Sequence, residues 1–192
     1  LVFHQRVRER EAMTARLQVR LSEAQLDALT ARLHPHFLFN TLQGVSTLVY
    51  RDPAAADAML GHLSTLLRQA LARGQGHEVP LGEELALLDH YLAIVQARFG
   101  ERVRVRRTID DAALPVLVPR LLLQPLVENA IEHGIARRAG AGTIAIEAGR
   151  EGDQLHITVR DDGPGMAGPA VEGVGLGSTR QRLAELYGDA GS

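Results

Sequence analysis

RLLLQPLVENAIEHGI (residues 120–135) is a strongly apolar run at helical spacing, yet it carries Glu128 and Asn129 on a helix suited to burial. A lone asparagine there also serves as a satisfied core amide, so the stretch decides nothing in isolation. The downstream residues give it meaning. GTIAIEAG (142–149) and DQLHITVRD (153–161) alternate apolar and polar residues, the pattern of two strands joined by a short turn. RDDGPGM (160–166) ends the second strand in an Asp-x-Gly-x-Gly. GVGLGSTR (173–180) then sets glycines directly before the helix STRQRLAELYG (178–188), and free amides at a helix N-terminus bind phosphate well. Each glycine-rich turn is common by itself. Their order and spacing after a Glu-Asn helix are hard to produce by chance.

Upstream, LGEELALLDHYLAIVQARFG (81–100) is an amphipathic helix ended by Gly100, and RVRVRRTI (102–109) alternates like a half-buried strand. ARGQGHEVP (72–80) has the glycines and polar residues of a linker, which bounds a mixed α+β domain over 80–192. Before it the chain is all helix. Phe37, Leu38, Leu42, Val45, Leu48 and Val49 recur at helical spacing until RDP breaks the pattern, with Asp52 as cap and Pro53 in the first helical position. Met59, Leu60, Leu63, Leu66, Leu67 and Leu71 line the apolar face of the second helix. The hairpin over 34–74 would bury its stripe best in a four-helix bundle made by a homodimer. Over 1–33, Val19, Ser22, Leu26, Leu29 and Leu33 form a coiled-coil seam that feeds into it.

Composition narrows the function classes. The 192 residues are 45% hydrophobic and 23% charged with a net charge of −2, which gives no reason to expect direct nucleic-acid binding. There is no cysteine, so disulfides and thiolate chemistry are excluded and a reducing compartment is permitted. No run approaches the roughly 18–20 apolar residues of a membrane span. The chain begins at Leu1 without methionine and reads as a fragment, compatible with a sensor or membrane segment upstream.

ARLHPHFLFNTLQ (31–43) places two histidines around a proline ahead of Phe-Leu-Phe and Asn40. With LQPLVENAIEHG, DDGPGM and GVGLGSTRQRL, its PHFLFN resembles the LytS-type sensor histidine kinases of bacteria, over residues 32–188. The resemblance implies an α/β-sandwich ATP-binding domain of the histidine kinase, Hsp90 and gyrase type after the dimerisation hairpin, shortened at its C-terminal strands. His36 matches the phospho-accepting histidine, with Phe37 and Leu38 as bundle anchors, the aromatics in the core and the imidazole facing solvent. Asn129 matches the asparagine that holds magnesium between the phosphates, and Glu128 a catalytic or metal-organising carboxylate. Asp161 matches the aspartate that accepts from the adenine amine. Gly163 and Gly165 let the backbone approach the base, while Gly173, Gly175 and Gly177 match the glycines of the phosphate lid. Asn40, one turn after His36, matches a residue that orients water against a regulator's phosphoaspartate. The implied cofactors are ATP and Mg2+, and the implied partners are a second copy and the receiver domain of a response regulator, on the cytoplasmic side of a membrane.

The sequence departs from the family pattern in three places. Phe37 stands where many histidine kinases carry an acid, an absence the LytS-type kinases share, so no base for His36 is visible locally. Ser178 stands where asparagine is usual, and Glu132 where lysine is common, near the phosphates on the Asn129 face. His133 or Arg137 would then compensate for the repulsion. Two rival functions remain open: a degenerate kinase that dimerises and docks a regulator, and a related ATPase in which Glu128 activates water.

Overall fold

The computed structural model describes residues 35–71, 78–135, 140–163 and 174–188. The expected coiled-coil helix, His34, Arg137, Gly165 and Gly173 lie outside the described residues. Helices α1 (Pro35–Leu48) and α2 (Pro53–Leu71) form the hairpin expected from the sequence. Asp52 starts α2: its Oδ1 accepts from the Ala55 amide at 3.0 Å, and Pro53, which has no N–H to satisfy, takes the first helical position.

The hairpin buries Phe37, Val45, Ala56, Met59, Leu63, Leu66 and Ala70. Much of this stripe is covered within the chain itself. Helix α3 (Leu81–Phe99) packs on α2, and its Leu85, Leu88, Tyr91 and Leu92 share one core with the hairpin. The rings of Phe37 and Tyr91 meet with centroids 5.0 Å apart. Phe39 departs from the expected aromatic core and is 73% exposed. It lies two residues, about 200° of helix, from Phe37, so one face cannot hold both. Leu42, Val49, Leu60 and Leu71 are also exposed, which leaves the hairpin a second apolar stripe.

Gly100 ends α3 with φ of 57°, a left-handed turn that glycine adopts without strain. Strand β2 (Val103–Ile109) runs parallel to β4 (Gly142–Glu151), which pairs antiparallel with β5 (Gln154–Asp161), giving the order β2-β4-β5. Val103, Ile144, Ile146 and Ala148 face the core shared with α3, while Arg104 and Arg106 face out. The linker expected to reach residue 80 is shorter at its end. Glu78–Pro80 forms β1, paired antiparallel with β3 (Leu117–Pro119). Three-residue strands are too short to show a period in sequence.

Two helices differ from expectation. The apolar run 120–135 is an α-helix only over Leu123–Asn129 (α4), and Ala130–Ile135 continues as a π-helical turn. The last helix, α5, spans Val174–Tyr187 and so begins four residues before Ser178. Arg182 of α5 donates to the Arg120 carbonyl at 2.8 Å, and the Tyr187 hydroxyl donates to Glu78, which tie α5 to the turn before α4 and to β1. The outcome is the expected α+β fold: a helical hairpin beside helices packed on a mixed sheet.

Candidate active site

The helix carrying Glu128 and Asn129 is held from its start. Leu121 adopts a positive φ of 60°, and this turn presents backbone amides to a carboxylate on another helix. Glu84 of α3 is buried; its Oε2 accepts from Leu121 N at 3.0 Å and its Oε1 from Leu123 N at 3.1 Å. Burial raises the Glu84 pKa, opposed by those amides and by Arg120. A carboxylate at the first turn of α4 satisfies amides that have no partner inside the helix. Sequence reading missed Glu84. The available signal was its position, three residues after Leu81 and four before Leu88 on a buried face.

Glu128 is buried near the end of α4 and its pKa is pushed up to about 8, first by burial and then by the charge of Glu132. Burial also raises the pKa of Tyr91 on α3, and the charges of Glu128 and Glu132 add to that. Glu132 is therefore within electrostatic reach of Glu128 and Tyr91. Its expected place near the Asn129 face assumed an α-helix. A turn closed by i→i+5 bonds takes more residues per revolution, so three steps from Asn129 no longer return to that face. Asn129 itself is half-buried, and His133 follows Glu132 in the π-helical turn.

The π-helical turn brings Gly134 against the end of β5. A Cβ on Gly134 would sit 2.8 Å from Asp161 Cγ, and one on Gly163 would sit 2.6 Å from Gly134 Cα. Asp161 thus lies in a cradle of two glycines, with its Oδ1 accepting from the Gly163 amide at 2.8 Å. Asp162 has a different task. Its Oδ1 accepts from Thr143 N at 3.0 Å and fastens the strand end to β4. Asp161 is left packed against Gly134 of the π-helical turn that follows Asn129.

Gly175 and Gly177 fall inside the first turn of α5 rather than in a loop before it. Their amides still belong to the first four of the helix, which have no intrahelical acceptor. His36 occupies the first turn of α1, and Asn40 is half-buried one turn on. Phe37, the neighbour of His36, meets Tyr91, whose pKa the charge of Glu128 helps to raise. The π-helical turn thus follows directly on Glu128 and Asn129 and packs its Gly134 against Asp161 and Gly163, while the histidine-bearing helix meets α3 through the rings of Phe37 and Tyr91.

Two family models match the chain. The model described as histidine kinase matches residues 24–103, and that described as histidine kinase-, DNA gyrase B-, and HSP90-like ATPase matches residues 117–191. The chain is 35% identical over 178 residues to sensor histidine kinase YpdA of Escherichia coli, covering 88% of this chain and 31% of that protein. It is 35% identical over 181 residues to sensor protein LytS of Staphylococcus haemolyticus, covering 88% of this chain and 31% of that protein. With sensor histidine kinase YesM of Bacillus subtilis it shares 34% identity over 194 residues, covering 98% of this chain and 33% of that protein. The chain thus spans about a third of the length of these relatives. A solved histidine kinase domain from the Erythrobacter litoralis blue-light activated histidine kinase superposes with a TM-score of 0.48 at 22% identity, covering 87% of this chain and 84% of that one.

Proposed function

Because the chain belongs to the sensor histidine kinase family of two-component systems, we propose that it phosphorylates His36 from Mg-ATP and passes the phosphoryl group to an aspartate of a response regulator. The observation that carries this reading is the ring contact between Phe37 and Tyr91, which joins the histidine-bearing helix to the layer holding Glu128 and Asn129.

A neutral imidazole nitrogen has its lone pair available near pH 7. It attacks the γ-phosphorus, the bond to the β–γ bridging oxygen breaks, and ADP leaves. The remaining ring proton then passes to solvent. Such transfer depends on positioning and on neutralising oxygen charge. Glu128 and Asn129 offer oxygen donors only, which fits a hard divalent cation held by one or two protein groups and the substrate phosphates. Magnesium there would offset charge on the phosphates. The first-turn amides of α5 add fixed dipoles aimed at the same anion. Asp161 accepts from the adenine amine, and its glycine cradle lets the base approach the backbone.

The second apolar stripe of the hairpin, Leu42, Val49, Leu60 and Leu71, is the face we assign to a second copy, with the receiver domain docking near His36. The full-length protein would present this part on the cytoplasmic side of a membrane. Labelled ATP should yield an acid-labile, base-stable phosphoprotein that His36→Gln abolishes while ATP affinity stays within about twofold. Label retained on that variant would overturn the assignment. ATP turnover without phosphoprotein would favour the ATPase reading, and neither product the docking module.

A further inference from the structure

Helices α2 and α3 also meet at a polar contact that the phosphoryl chemistry does not use. His62 and His90 direct their Nδ1 atoms at each other 2.8 Å apart, with ring centroids at 5.1 Å and planes inclined by 51°. Both rings are half-buried. A cavity of about 140 Å³ opens beside His90, and its polar lining comes from Thr65, Gln69, Glu83, Glu84 and the cationic Arg120. We propose that His62 and His90 form a two-imidazole site for a divalent transition metal of the nickel or copper type.

The geometry selects the class of ion. With the bridging proton displaced, two Nδ1 atoms 2.8 Å apart lie within the span of one ion between the helices. A metal at about 2.05 Å from both nitrogens would see them at about 86°, the cis angle of square-planar or octahedral coordination that copper(II) and nickel(II) adopt. Tetrahedral zinc would need the nitrogens about 3.3 Å apart, so the helices would have to separate. Magnesium takes oxygen ligands and is excluded by the donors. Among the described residues no group of three or more His, Cys, Asp or Glu gathers to hold a metal, so the remaining positions fall to water from the cavity side. Affinity is then moderate. Its consequence rests on the kinase reading: a metal bridging α2 and α3 pins the acceptor hairpin to the helix beside the ATP site.

The test is calorimetric titration of the nucleotide-free chain with nickel(II), against magnesium as control. Parent, His62→Gln, His90→Gln and the double variant are compared, each checked by circular dichroism. We expect one saturable nickel site with Kd in the range of about 1–100 µM, weakened about tenfold or more by either single change and lost in the double variant. Saturating nickel should raise the melting temperature of the parent alone. No saturable binding below about 1 mM would leave an imidazole–imidazole hydrogen bond only and overturn the proposal. A double variant that keeps the parent affinity would assign the metal to other histidines and overturn it equally. None of these readouts involves ATP, so failure here is distinct from failure of the kinase reading.

Discussion

Glu128 is the residue whose surroundings set the most specific expectation. The folded chain holds its proton up to about pH 8, whereas the unfolded chain releases it near 4.5. Between those values the folded state binds more protons, so stability falls as pH rises across the window and levels off above it. Glu128→Gln keeps the neutral shape and removes the ionisation. The nucleotide-free variant should melt with the parent at about pH 5 and above it at about pH 8.5; equal melting at both values would place the titration elsewhere. Burial is the larger cause and Glu132 the smaller. Glu132→Gln should therefore lower the Glu128 midpoint without restoring the ordinary carboxylate value. A carbon-detected titration of Glu128 reads this directly, and an unmoved midpoint would separate the two carboxylates.

At the scale of elements, the π-helical turn and the end of β5 depend on one close approach. A methyl group on Gly134 or Gly163 would drive into Asp161 or into the opposing backbone. Gly163→Ala should cost about 1–3 kcal/mol of stability and weaken ATP binding, measured by denaturant unfolding and nucleotide titration. Full retention of both would mean that the turn opens freely. Asp161→Asn keeps the shape and removes a charged acceptor, so ATP binding should weaken roughly 10–100-fold with little change in melting. At the hairpin, Asp52→Ala removes a cap seen at 3.0 Å and should cost about 1 kcal/mol. Thermal melts check it, and no loss would show that the turn is held by packing instead.

For the whole molecule, the hairpin has two apolar faces with different duties. Phe37 is buried against Tyr91 within the chain, so Phe37→Ala should destabilise it by about 3–5 kcal/mol. Leu42 and Leu60 are exposed in the single chain. The Leu42→Glu, Leu60→Glu variant should shift a dimer to monomer in light scattering while the monomer keeps its helical content. A variant that stays dimeric would move the interface elsewhere. The same two faces explain why the sequence pattern was ambiguous here. Periodicity marks apolar residues without saying which partner covers them, and α3 takes the stripe that looked free for a second copy.

Local chemistry carried much of the fold. Asp52-Pro53 starts a helix, Gly100 ends one, and alternation over 142–161 pairs two strands, because each depends on a few adjacent residues and their backbone preferences. The order of Glu128, Asn129, Asp161 and Gly163 along the chain carried the family resemblance from which the proposed nucleotide site follows. Two features were decided only by tertiary packing. Glu84 caps α4 from another helix, and His62 meets His90 across 28 positions of sequence. Each rests on a contact between segments whose spacing in sequence carries no period, so its energy exists only once the chain has closed.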